Sequence, residues 1–284
     1  MKRLSGDKNL VVTNKGYAGI GSLDWVAFNT GKKPFDDVRV RQAAAYAIDR
    51  NFFAKVIMMG LVTPSATPIT PFSPFYTKDV NMYDVNLEKA KKLLDEAGYP
   101  VKADGTRFTV TVDYAPGSPT TKMMAEYLKP QLAKVGIDAK IRISPDFGTW
   151  AERVSNYNFD ITTDNVFNWG DPVIGVHRTY SSANIVKGVP FSNTQQYRNP
   201  KVDAIMEQAA SEVDNEKRAK LYKEFQQIVM NDVPIYFMTT TAYHTIYNKR
   251  VGTVPASIWG FLGFRQELAL QRFALGRCGL QPLE

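Results

Sequence analysis

Between residues 107 and 166 the chain switches repeatedly between strand and helix periodicity. The stretch "RFTVTVDY" (107–114) alternates as a strand, and 119–135 places Met123, Met124, Tyr127, Leu128 and Leu132 on one helical side. "DAKIRI" (138–143) is again a strand, 147–156 a short helix, and "NFDITTDNV" (158–166) a strand. A β-α-β-α-β order leaves few topologies, because each crossover must be right-handed and must cover the sheet with its helix. The expectation is an α/β lobe.

The flanks extend this pattern. Residues 9–30 read as two short strands around a Gly-rich turn, the second alternating around Trp25, Ala27 and Asn29. Asp36 and Asp37 suit the first turn of a helix, and Val40, Ala43, Ala44, Ala47, Ile48 and Phe52 recur at helical spacing from Val38 to Met59, with Gly60 as the stop. Residues 61–82 are a Pro/Thr/Ser-rich connection, and a loop of that length is more often functional or interdomain than idle. Asn86 caps a helix whose face is Leu87, Ala90, Leu93 and Leu94, ended by Gly98 and Pro100. Two helices broken near Asp214 follow, then a long strand over 235–247 and a last strand around 261–270.

With 284 residues the chain is one large domain or two modest ones. The net charge of +7 is dispersed, often beside acids as in "LEKAKKLLDEAG", which reads as a solvated surface and not as a nucleic-acid face. One cysteine, Cys278, and two histidines, His177 and His244, exclude an intrachain disulfide, a thiolate metal site and a His-rich one. No apolar run approaches the ~20 residues of a membrane span. The start, "MKRLSGDKNLVVTNKG", has no hydrophobic leader core, so the protein is either cytoplasmic or shortened at its N-terminus. Enzyme signatures are missing: no G-x-S-x-G, no phosphate loop, and "GYAGIGS" has no helix after it. Asp36 and Asp37 are better explained as helix-start residues than as a catalytic pair. Neither a cofactor nor catalysis is expected.

One stretch concentrates chemistry. "NVFNWGDPVIGVHRTY" (165–180) follows a strand of the α/β pattern, and ligand crevices of open α/β sheets lie beyond strand C-termini. Trp169 offers a flat wall or a cation–π face, Asp171 a carboxylate for an ammonium, and Arg178 a fork for a carboxylate. The same residues also fit a purely structural role. In that reading Trp169 is core, Asp171-Pro172 a turn, and Arg178 one half of a surface ion pair.

Several stretches together resemble the periplasmic oligopeptide- and dipeptide-binding proteins of bacterial ABC importers, the solute-binding family that also takes nickel, haem and some sugars. "VAFNTGKKPFDDVRVRQAAAYAIDR" (26–50) is similar to the family's segment almost throughout, and "YDVNLEKAKKLLDEAGYP" resembles its next helix. "YRNPKVDAIMEQA", "DNEKRAKLYKEFQQIVMNDVPIYFM" and the Trp259-Gly260-Phe261 region follow in the family's order. The resemblance spans roughly residues 10–270. It implies a periplasmic binding protein-like α/β lobe (type II, cluster C), a mixed sheet flanked by helices, with a truncated N-terminal lobe. The implied domains are 1–35 (end of the first lobe and a hinge strand), 36–247 (the second lobe) and 248–284 (return strands plus a tail, "QRFALGRCGLQPLE", without family counterpart).

The resemblance also implies a function. A periplasmic, monomeric full-length protein would bind a peptide or peptide-like solute between two lobes and deliver it to a membrane permease, with this shortened chain binding weakly. The family's ligand loop resembles W-x-x-D-x-x-D-P, whose first Asp pairs with a peptide's ammonium. Asp171-Pro172 matches its end, but Asn168 stands at the ammonium-binding position. Dipeptide binders also carry an arginine in the loop after the strand ending near Tyr114, where this chain has "APGSPTTK". The candidate ligand residues are therefore Asn168, Trp169, Asp171, Arg178 and Tyr114, with no catalytic or metal residue. The departures leave room for a longer peptide held through its backbone, or a sugar, opine or nickel complex. A cytoplasmic enzyme or regulator is the alternative from another class, and a protein-interaction module a third.

Overall fold

The computed structural model describes residues 2–17, 19–241 and 243–251. The expected strand at 261–270, Trp259-Gly260-Phe261 and Cys278 lie outside the described residues. The chain divides into two compact units, one of Met1–Ile20 with Ala242–Glu284 and one of Gly21–Thr241. In the first, helix α1 (Lys2–Ser5) precedes strand β1 (Leu10–Thr13), which pairs antiparallel with β8 (Thr245–Asn248).

The second unit carries β2 (Ser22–Phe28), α2 (Val38–Ala47), α3 (Arg50–Phe52), β3 (Thr63–Pro64) and α4 (Leu87–Glu96). It continues with β4 (Phe108–Tyr114), α5 (Pro119–Ala133), β5 (Ile137–Arg142), α6 (Phe147–Ser155) and β6 (Ile161–Phe167). Two short helices, α7 (Pro172–Gly175) and α8 (His177–Tyr180), lead to α9 (Pro200–Ser211), α10 (Asn215–Asp232) and β7 (Ile235–Thr240). The six strands form one mixed sheet in the order β3-β7-β2-β6-β4-β5. β4 runs parallel to both β5 and β6, as the crossover pattern requires. The other neighbours, β6–β2, β2–β7 and β7–β3, are antiparallel.

Local chemistry explains most of the helix starts. Asp37 caps α2 by accepting from the Arg39 N–H at 2.8 Å. Asn86 does the same for α4 with the Lys89 N–H at 2.9 Å, and Asp214 for α10 with the N–H groups of Glu216 and Lys217. On α4, Ala90 and Leu94 are buried while Leu87 and Leu93 pack at the edge of the same core. That core joins α2, α5, α9 and α10 to the sheet, whereas α6 closes a second, smaller cluster of Ala115, Trp150, Val154 and Phe159.

Three expectations need correction. β2 does not alternate: all seven of its residues are buried, because it lies inside the sheet between β6 and β7 and is covered on both faces. The helix expected over 38–59 breaks at Ile48, whose backbone is extended. Asp49 then starts a new turn by accepting from the Phe52 N–H at 2.8 Å. The strand expected over 235–247 is two strands, since β7 pairs with β2 and β3 while β8 pairs with β1.

Candidate functional site

β6 leaves the sheet at Phe167, and the next residues turn sharply into α7. Trp169 and Gly170 take left-handed φ values of 54° and 81°, a tight reversal. Asn168 is buried and engaged at both ends of its amide: its Oδ1 accepts from the Thr70 N–H at 2.8 Å, and its Nδ2 donates to the Pro68 carbonyl at 3.1 Å. Its own N–H donates to the Gly21 carbonyl at 3.0 Å. Packing here is close. A Cβ on Gly175 would meet the Asn168 carbonyl oxygen at 2.3 Å, so only glycine fits. Asn168 thereby ties the 61–82 connection to the exit of β6.

Asp171 is engaged as well. It caps α7 through the Val173 N–H at 2.9 Å and accepts a two-pronged ion pair from Arg218, both contacts at 2.8 Å. Burial pushes the Asp171 carboxyl up, but the Arg218 and Val173 hydrogen bonds outweigh this and leave it below its usual value. Arg218 in turn lies over the Phe75 ring. The Asp171-Pro172 turn of the structural reading is thus present, and the ion-pair partner of Asp171 is Arg218. Beside it, burial lowers His177 to about 4, and its Nε2 lies 3.0 Å from the Tyr222 hydroxyl.

The remaining candidates keep free surface. Trp169 is half-buried and packs on Phe167, with ring centroids 5.1 Å apart. Tyr114 ends β4 opposite Thr163 of β6, also half-buried. Arg178, on α8, has a buried Nε without a partner and borders an open groove of about 580 Å3 with His177, Asp203 and Glu207. Loop and strand end therefore bring Asn168, Trp169 and Asp171 together, with Tyr114 one strand away and Arg178 one short helix further on.

Sequence reasoning missed a set of polar groups inside the sheet. Asp24 accepts from the Thr239 hydroxyl at 2.7 Å and from that of Thr241, yet burial pushes its carboxyl up to about 6. Asp164, opposite Trp25 in the sheet, is pushed up to about 7 by burial. The signal that could have found them is an aspartate inside a strand run, as in "SLDWVAF" and "ITTDNVF", since Asp is depleted from strand interiors. A further cavity of about 220 Å3 lies by Arg50, Tyr83 and Tyr236. Arg50 is fully bonded there to the Tyr236 hydroxyl and the Ser65 and Met82 carbonyls, which is a structural arrangement. Among the described residues no cluster of three or more His, Cys, Asp or Glu could hold a metal, and no helix is long and apolar enough to cross a membrane.

Comparison with known proteins places the chain. The family described as bacterial extracellular solute-binding proteins, family 5 Middle, matches residues 2–187. Haem-binding protein A of Haemophilus influenzae is 34% identical over 217 residues, 75% of this chain and 38% of that protein. The dipeptide-binding protein of Escherichia coli is 29% identical over 250 residues, 86% of this chain and 44% of its own length. Among solved structures, the Helicobacter pylori periplasmic binding protein DppA with the peptide STSA superposes with a TM-score of 0.78 at 25% identity. That match covers 90% of this chain and 48% of the other. The chain thus spans about half the length of its relatives, or less. It belongs to the family 5 bacterial extracellular solute-binding proteins.

Proposed function

We propose that this chain is part of the substrate-binding component of an ABC importer, non-catalytic and periplasmic. It takes a peptide or peptide-like solute and hands it to a membrane permease. The observation that carries this reading is the family match over residues 2–187, joined to a peptide-holding neighbour of the same fold. Ligand contacts on this chain come from Trp169 and Tyr114 at the strand ends and from the charge of Arg178, while Asn168 and Asp171 hold the loop in shape. Capture works by closure of two lobes: contacts made only in the closed state shift the equilibrium toward it by their differential affinity. The present chain by itself therefore binds weakly.

Native mass spectrometry of the protein purified from its source tests the solute class. A co-purified species of peptide mass is the expected result, and a haem, sugar or nickel complex overturns the peptide reading. Calorimetry on the 284 residues tests the second claim, where tight stoichiometric binding would contradict it. The haem-binding relative and the uncharged Asn168 favour a non-peptide solute as the second reading.

A further inference from the structure

The cavity of about 220 Å3 lies where the start of α3 meets β3 and β7, and it shares no residue with the loop at 165–180 or with Tyr114. A water takes about 30 Å3 of liquid volume, so the space exceeds what one bridging water needs. One polar group on its wall is unmet. Ser65 is 4% exposed. Its N–H donates to the Met238 carbonyl at 3.1 Å and its carbonyl accepts from Arg50 at 3.0 Å, yet its Oγ is buried without a hydrogen-bond partner. Buried hydroxyls are nearly always partnered, by protein, water or ligand. An unmet one carries a desolvation cost that a bound oxygen removes.

Charge narrows the class of occupant. Arg50 is a fixed cation on the wall, clamped by three acceptors that are all neutral. Two carboxylates border the same cavity: Asp49, whose side chain accepts from the Phe52 N–H at 2.8 Å, and Asp84, which is exposed. An anion meets Arg50 but faces both acids. A cation meets the acids but faces Arg50, which stays protonated. A neutral molecule avoids both repulsions. Hydroxyl groups suit it, because one hydroxyl both donates and accepts and so serves Ser65 and Asp84 alike.

The other walls are apolar. Ile48, Met82 and Val85 bring no polar side chain, and the hydroxyls of Tyr83 and Tyr236 donate to the Met230 and Ile48 carbonyls. Ligand pockets combine apolar walls with a few placed polar groups in this way. A carbon ring bearing hydroxyls offers both kinds of surface. We propose that the cavity between Arg50, Ser65 and Asp84 is a binding site for a small neutral cyclic polyol. The inference stands without the peptide reading, since it uses none of the residues of the strand-end loop.

The test is an NMR titration of the chain labelled with 15N-serine, in which the amide signal lost in Ser65→Ala identifies the reporter. Ser65→Cys removes the same signal if the alanine variant does not fold. In the unsubstituted chain, myo-inositol is expected to move that signal saturably. Cyclohexanol, the same ring with one hydroxyl, should bind at least about tenfold more weakly, or about 1.4 kcal/mol. Acetate and methylammonium should leave the signal in place at the same concentration. Asp84→Ala, at an exposed position, should weaken myo-inositol at least about threefold through the loss of one hydrogen bond. No response to myo-inositol overturns the proposal and leaves a water-filled cavity. An equal response to cyclohexanol, a stronger response to either ion, or unchanged binding in Asp84→Ala overturns it as well.

Discussion

Two buried aspartates in one sheet differ in every respect but burial. Asp113 on β4 is enclosed by two arginines: Arg142 donates from Nε at 3.0 Å and from NH2 at 2.8 Å, and Arg153 at 2.8 Å. Asp164 on β6, a strand away, has neither. A carboxylate buried with its counter-charges is a rigid joint, here tying β5 and α6 to β4. One buried without them is under tension that a proton can relieve. The difference separates a fixed ion pair from a titrating group more sharply than burial or residue type does.

Breaking the paired member should give the largest effect. Asp113→Ala leaves two partly buried guanidinium groups facing an empty position, and a loss of about 3–5 kcal/mol is expected from urea unfolding. Asp164→Asn should do the opposite at alkaline pH. Ordinary aspartate titrates near 3.8, while Asp24 and Asp164 reach about 6 and 7 when folded. Between these values the two aspartates hold more protons in the folded chain, which outweighs the opposite effect of His177, lowered to about 4, so stability falls as pH rises from about 4 to 7 and then levels off. Asparagine at 164 removes its share, a gain on the order of 2–4 kcal/mol at pH 8 and little at pH 4. Unfolding curves at several pH values check this, and a wild-type stability that rises across that window would contradict it.

A third buried position sharpens the comparison from the other side. Asn168 needs both ends of its amide, one for the Thr70 N–H and one for the Pro68 carbonyl. Asn168→Asp, which restores the acid of the family's ligand loop, sets a carboxylate against that carbonyl. A loss of about 1–3 kcal/mol is expected, with no gain in peptide binding by calorimetry. The smallest effect belongs to the partly exposed pair. Arg218→Ala should cost about 1 kcal/mol and release Asp171 toward its usual titration, visible as an upfield-to-downfield carboxyl shift midpoint moved to higher pH.

How far the sequence carried the argument can be read from particular residues. The caps Asp37, Asn86 and Asp214 were legible because a cap is a contact between residues two or three apart. The α/β character of β4, β5 and β6 was legible from the helices between them, whereas their order in the sheet, β6-β4-β5, was not. The loop at 165–180 was legible as a place, but not in its wiring. Asp171 finds Arg218 47 residues later, and Asn168 finds Thr70 98 residues earlier. No local pattern encodes such partners.

The sequence by itself determined the α/β class and most element positions, because periodicity and capping act over a few residues, and the family through the resemblance of whole stretches such as residues 26–50. Tertiary structure alone decided that β2 is interior, that the 235–247 run belongs to two different sheets, and that Asn168 and Asp171 support the loop. It also decided which aspartates are paired. Charge compensation depends on what lies within about 4 Å after folding, and in a mixed sheet those neighbours come from strands far apart in the chain.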